Sequence, residues 1–257
     1  MENRLDMTGK VAIVTGGGKG VGLGITKRFL EAGADVVICG RSAPETLPLV
    51  GDKKAVFIAV DVKDVEQIQA CVDFTVEKFG RLDTLVNNAG GAPIADAATV
   101  SPRFSESIIK LNLIAPLNFS QAANAVMQTQ DEGGSIINIA SVSMIRPSPG
   151  TAAYGAAKAG LVNLGTSLAV EWAPKVRMNA VISGLVLTEQ AHLHYGSEES
   201  IQAVADTIPL NRLAKPEDIG DACLFLASPM SSYMSGGSIT VHGGGEKPAF
   251  SSASDAY

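Results

Sequence analysis

Tyr154 and Lys158 stand four residues apart in Tyr154-Gly155-Ala156-Ala157-Lys158, and Ser141 closes an apolar run thirteen residues before the tyrosine. On a helix, positions i and i+4 share a face, so the Lys158 ammonium can stand beside the Tyr154 phenol and favour its ionised form. A phenol that ionises near neutral pH is a general acid/base. Moving a tyrosine pKa from ~10 to ~7.5 takes ~3.4 kcal/mol. One cation at ~4.5 Å in an effective dielectric of ~20 supplies a similar amount. The pair alone is a weak signal, because two common residue types fall four apart in many helices.

The elements that must position the pair give it context. The apolar run 11–14 reads as a buried parallel strand and leads into Thr15-Gly16-Gly17-Gly18-Lys19-Gly20-Val21-Gly22. A glycine-rich turn between a strand and a helix lets the backbone approach a pyrophosphate, whose charge then sits at the helix N-terminus. Short apolar runs at 11–14, 36–39, 55–60, 84–86, 135–139, 177–181 and 238–241 alternate with helical stretches at 20–32, 65–79, 104–129, 152–171 and 216–227. That alternation predicts an α/β fold: a single-domain, doubly wound seven-stranded parallel sheet with helices on both faces. In this architecture ligands bind at the carboxyl ends of the strands. Each motif named so far falls at such an end or on the helix beyond it.

With the glycine turn, Asn87-Asn88-Ala89-Gly90, Asn112, Ser141, Tyr154 and Lys158 in this order, the chain resembles the short-chain dehydrogenase/reductases over roughly residues 5 to 245. The resemblance implies a Rossmann-type domain over 1–246, with a substrate lid at about 185–211 and a C-terminal tail at 247–257. It implies an NAD(P)-dependent oxidoreductase. Ser141 would hydrogen-bond the substrate oxygen, Tyr154 would exchange its proton, and Lys158 would bind the nicotinamide ribose while lowering the Tyr154 pKa. Asn112 would hold a water linking Lys158 to solvent. The cofactor would lie on Gly16, Gly18, Lys19, Gly20, Val21 and Gly22, with Asp61 and Val62 at the adenine. Asn88, Ala89 and Gly90 would lie around the adenosine ribose and strand end, Gly184 and Val186 would also contact the cofactor, and Thr188 would reach the carboxamide or the pyrophosphate. Two positions depart from the family's habit: Ser183 precedes Gly184 where proline is common, and Ala140 stands where a second serine is common. Ser143 is an alternative to Ser141, but the thirteen-residue spacing favours Ser141.

The slot that selects the dinucleotide lies about twenty residues beyond the glycine turn, where a carboxylate binds the ribose hydroxyls of NAD. Here it reads Gly40-Arg41. With no carboxylate to repel a 2′-phosphate, and with Arg41 and Lys19 able to pair with one, NADP is favoured and NAD is the alternative. The expected substrate wall comprises 91–94, 144–149 and the lid. Its apolar members Ile94, Met144, Ile145, Leu185, Leu187 and Leu193 suggest a hydrophobic ketone or secondary alcohol. Arg146 could meet an acidic group or be a solvated loop residue. Alternatives within the resemblance are a 3-oxoacyl thioester reductase or an NAD-linked hydroxysteroid-type dehydrogenase. Further alternatives are an epimerase or dehydratase using transient hydride transfer, whose kind usually has a longer C-terminal region and a different glycine spacing, and a cofactor-binding regulatory protein without turnover.

Composition bounds the rest. With 257 residues and 46% apolar content the chain can bury one large core. A formal charge of −6 argues against a nucleic-acid partner. No apolar stretch reaches eighteen residues and the start lacks an apolar signal region, so a cytoplasmic protein without a membrane span is expected. Cys39, Cys71 and Cys223 are expected to be reduced core residues. His192 and His194 without a carboxylate set are poor metal ligands, so no metal is expected. By the resemblance, the chain would form a homotetramer or homodimer through the helices at 104–129 and 152–171.

Overall fold

The computed structural model describes residues 3–254. The elements run β1 (Val11–Thr15), α1 (Gly20–Glu31), β2 (Asp35–Gly40), β3 (Leu49–Val50), β4 (Lys53–Lys54), β5 (Val56–Ala59), α2 (Val65–Phe79) and β6 (Thr84–Asn87) in the first half. They continue through α3 (Pro102–Ile109), α4 (Ala115–Met127), β7 (Gly134–Ser141), α5 (Ala152–Glu171), β8 (Val176–Ser183), α6 (His192–Tyr195), α7 (Glu198–Asp206), α8 (Pro216–Ala227), β9 (Ser238–Val241) and α9 (Ala249–Ala253). Seven strands form one parallel sheet in the order β5-β2-β1-β6-β7-β8-β9. The order reverses between β1 and β6, and such a reversal opens a crevice at the strand ends.

Alternate residues of each strand point to opposite faces, and the core divides accordingly. Ile13, Val37, Leu85, Ile136 and Met178 pack with Ile68 and Val72 of α2 and Phe119, Ala123 and Met127 of α4. Val14, Ile38, Val86, Ile137 and Val181 pack on the other face with Ile25 and Phe29 of α1 and Ile219, Cys223 and Leu226 of α8. The strands are apolar on both faces because both faces are covered. The three cysteines are free and buried.

Three features differ from the sequence expectation. The helix anticipated over 104–129 is interrupted: α3 and α4 flank a π turn at Lys110–Ile114. Pro116 starts α4 without an N–H to donate, and a π turn inserts where the regular ladder fails. A two-stranded antiparallel ribbon, β3 with β4, leads into β5. The polar, serine-rich tail from Lys247, whose composition leaves either loose order or packing on a neighbouring subunit as the expectation, carries α9, and the Lys247 N–H donates to the Thr207 carbonyl at 3.0 Å. Residues 255–257 of that tail lie outside the described residues.

Candidate active site

Thr15, at the carboxyl end of β1, joins the two halves of the crevice. Its hydroxyl accepts from the N–H groups of Asn88 (2.9 Å) and Ala89 (2.8 Å), while Asn88 Nδ2 donates to the Thr15 carbonyl at 2.8 Å. The glycine turn is thereby fixed against the end of β6. Gly22 is required by close approach: a Cβ there would sit 2.2 Å from the Gly16 carbonyl oxygen and 2.5 Å from Asn88 Nδ2. Gly16 and Gly20 adopt positive φ, at 67° and 52°.

Helix α1 starts from this turn with no side-chain cap at Lys19 and no acidic residue in its first turn. A carboxylate nevertheless stands there. Both oxygens of Glu189, from the segment after β8, accept from the Gly20 N–H, at 3.0 and 3.2 Å. The helix N-terminus thus already holds an anion, as its partial positive charge favours. Lys19 and Arg41 are exposed beside the turn, and among the described residues neither forms an ion pair. Asp61 follows β5, where its carboxylate accepts from the Lys63 N–H at 3.0 Å and its own N–H donates to Gln67. The described residues thus offer an anion cradle, two free cations and an opening at the sheet reversal. A dinucleotide fits that donor set.

Four of the sequence-predicted residues converge at the ends of β6, β7 and β8. Ser141 ends β7 in register with Ser183, the last residue of β8. The Ser141 hydroxyl accepts from the Ser143 N–H at 3.2 Å, starting the short 3-10 turn Val142–Met144. Tyr154 and Lys158 project from the first turns of α5, the Lys158 Nζ lying 5.7 Å from the centre of the Tyr154 ring. Asn112, fully buried in the π turn, clamps Gly91: its Oδ1 accepts from the Gly91 N–H (2.9 Å) and its Nδ2 donates to the Gly91 carbonyl (3.0 Å) and the Ile108 carbonyl (2.9 Å). A Cβ on Gly90 would sit 2.6 Å from Asn112 Oδ1 and 3.3 Å from Lys158 Nζ, so the three groups meet under the end of β6.

The electrostatics differ from the simple picture of a lysine beside a phenol. The Lys158 Nζ donates to the Ile139 carbonyl at 2.7 Å, and burial pushes its pKa down to about 8. Burial raises the Tyr154 phenol, with the Ser141 side chain pulling against that rise. The expected lowering of Tyr154 by Lys158 is therefore absent from this arrangement, because the ammonium is aimed at a carbonyl and the phenol is desolvated. A buried ammonium, a half-buried phenol and a half-buried serine hydroxyl thus stand together at the ends of β7 and α5. Such a set can pass a proton to or from an oxygen placed between Ser141 and Tyr154.

The remaining predicted residues fall around this centre. Val62 is buried after β5, and Gly184 and Val186 lead from β8 into the segment 185–211. A Cβ on Gly184 would meet His242 at 2.7 Å. Thr188 lies against the start of α1, its side chain 3.6 Å from where a Gly20 Cβ would stand. Ile94, Ile145, Leu187 and Leu193 are exposed apolar side chains. Met144 packs on Ala140, Val142 and Ile182, and Leu185 joins a separate cluster with Ala205, Ile208 and Leu213. Arg146 pairs with Glu246 at 2.7 Å, so its charge is balanced from within the chain. His192 and His194 lie on α6, and among the described residues no three histidine, cysteine or acidic side chains gather as metal ligands. The sequence reading missed Thr15 as the clamp and Glu189 as the helix-terminal anion. Thr15 could have been found from its place at the strand end, whereas Glu189 lies 169 residues from its partner with no local signal.

Residues 16–246 match the family described as Enoyl-(Acyl carrier protein) reductase. The chain is 38% identical over 243 residues to a 3alpha-hydroxysteroid dehydrogenase of Mediterraneibacter gnavus, covering 91% of this chain and 96% of that protein. It is 35% identical over 247 residues to Glucose 1-dehydrogenase 2 of Bacillus subtilis, covering 93% and 95%. It is also 35% identical over 246 residues to a 3-oxoacyl-(acyl-carrier-protein) reductase of Chlamydia muridarum, covering 93% and 98%. Among solved structures, the ligand-free aldohexose dehydrogenase of Thermoplasma acidophilum superposes with a TM-score of 0.86 at 30% identity, covering 93% of this chain and 94% of that one.

Proposed function

The chain belongs to the short-chain dehydrogenase/reductase family and is an oxidoreductase of the kind that works with a nicotinamide cofactor, and from that premise we propose that it interconverts an apolar ketone and its secondary alcohol, with NADP as the preferred dinucleotide. The convergence of Asn112, Ser141, Tyr154 and Lys158 beneath Gly90 and Gly91 carries this reading. The bound nicotinamide supplies the hydride acceptor or donor. Ser141 orients the substrate oxygen, and Tyr154 gives or takes its proton. Lys158, held by the Ile139 carbonyl, keeps a positive charge near the phenol below about pH 8. Asn112 fixes the Gly91 peptide and keeps one Oδ1 lone pair for a water that connects Lys158 with solvent.

Arg41 and Lys19 favour a 2′-phosphate because neither is neutralised by a carboxylate among the described residues. The exposed Ile94, Ile145, Leu187 and Leu193 favour an apolar substrate. The relatives' names span steroid, sugar and acyl-carrier substrates, and this wall, with Arg146 neutralised by Glu246, suits the uncharged apolar ones. The working form is a homodimer or homotetramer, and the protein works in the cytoplasm.

The test is a fluorescence titration with NADPH and NADH, followed by a screen of ketones and alcohols for the change in nicotinamide absorbance. Tyr154→Phe should bind the cofactor as the wild type does and lose about a thousandfold in turnover, in line with removal of a positioned acid/base. Undiminished turnover removes Tyr154 from the mechanism. Failure of both nucleotides to bind overturns the reading as a whole.

A further inference from the structure

The Glu189 carboxylate has a placement that the proton-transfer chemistry does not use. It lies just beyond the point where the lid leaves the sheet, at a junction fastened by Leu187 N–H to the Ala214 carbonyl (2.8 Å) and Ala214 N–H to the Leu185 carbonyl (2.9 Å). From there it spans the crevice to the Gly20 N–H. Among the described residues no lysine, arginine or histidine lies within 4 Å of it as an ion-pair partner. Its charge is met by the start of α1, a helix that carries no acidic residue of its own there. Thr188 and Glu189 together lie over Gly20.

We propose that Glu189 is a resident anion that ties the lid to the dinucleotide helix in the free enzyme and must be displaced by the cofactor's pyrophosphate. The inference rests on the dinucleotide reading of the crevice. One helix N-terminus cannot serve two anions at the same N–H, so the carboxylate lowers pyrophosphate affinity by what its own contact is worth. A carboxylate at an exposed helix start is worth about two- to five-fold in an equilibrium constant. By linkage the pyrophosphate loosens the lid by the same factor. The Glu189 contact therefore makes lid release and cofactor entry one event. Glu189 is a positioning residue and takes no part in the proton transfer.

The test compares wild type with Glu189→Gln and Glu189→Ala in binding to ADP-ribose, which carries the pyrophosphate, and to AMP, which lacks it. Both variants should bind ADP-ribose and NADPH about two- to five-fold more tightly than wild type while AMP affinity stays unchanged. Hydrogen exchange of the 186–195 backbone should be faster in the ligand-free variants and equal to wild type once NADPH is bound. Unchanged or weaker ADP-ribose binding, or an equal gain for AMP, overturns the displacement. If wild type binds neither ADP-ribose nor NADPH, the dinucleotide reading itself fails, a result distinct from failure of the Glu189 proposal.

Discussion

Lys158 shows how far one buried charge can be followed. Burial holds its pKa at about 8, whereas in the unfolded chain an ammonium titrates near ~10.4. Between those values the unfolded chain keeps a proton that the folded chain has lost, so stability rises with pH across that window. The raised phenol of Tyr154 acts oppositely: above its ordinary value near ~10 the unfolded chain loses a proton that the folded chain retains, and stability falls. The unfolding free energy of wild type relative to Lys158→Met should therefore climb between pH 8 and 10, by at most about 3 kcal/mol. Chemical denaturation at a series of pH values measures it, and a flat difference would place the ammonium in contact with solvent. Arg41 is a residue-scale matter of a different kind, being exposed and, among the described residues, in no ion pair. Arg41→Ala should weaken NADPH by about ten- to a hundredfold, the value of a charge-assisted pair, and NADH by less than threefold. Equal losses for both nucleotides would dissociate Arg41 from the 2′-phosphate.

At the scale of elements, the glycine turn and the end of β6 are coupled through one hydroxyl. Thr15→Val keeps the shape and deletes the acceptor of two N–H groups, those of Asn88 and Ala89. Each orphaned donor costs roughly 1–3 kcal/mol, so a loss of about 2–6 kcal/mol in unfolding free energy is expected, with weaker cofactor binding from the loosened turn. A thermal midpoint within a degree of wild type would show that water replaces the hydroxyl. The elements themselves were largely legible in the sequence. All seven sheet strands lie where the apolar runs stand, to within a residue or two at their ends, because doubly covered strands are continuous in hydrophobicity. The ribbon of β3 and β4 was not legible, since two-residue strands, one Leu49-Val50 and the other Lys53-Lys54, leave no period to read. The π turn hid inside an unbroken helical pattern, although Pro116 marked where the ladder had to fail. The site was legible where its motifs are local, as at Tyr154 and Lys158. It was hidden where two distant backbone segments meet, as for Glu189 on Gly20, because that contact exists only after the sheet has assembled.

At the scale of the molecule, α5 carries information beyond its two functional side chains. The helix spans 20 residues, yet its only charged residues are Lys158, which is buried, and Glu171 at its end. Its exposed stripe runs through Ala152, Ala156, Asn163, Ser167 and Val170, with Val170 80% exposed. A helix facing water normally sets charged residues on its outer side, and small uncharged residues along a whole face let a second helix approach closely. A chain with 20 Lys and Arg and 26 Asp and Glu does not lack charged residues to place there. Their absence from this face supports the homodimer or homotetramer, with α5 packed on its counterpart in a second copy. Across a two-fold axis any cation added to the stripe faces itself or its neighbour, and apposed like charges cost several kcal/mol. Light scattering should give wild type a mass two or four times 26.5 kDa, and the double variant Asn163→Arg, Val170→Arg a smaller multiple. The same variant should retain NADPH binding, because the glycine turn and Arg41 lie on the other half of the sheet. A wild type that runs at 26.5 kDa at micromolar concentration, or a variant that keeps the wild-type mass, would leave the uncharged face of α5 without this explanation.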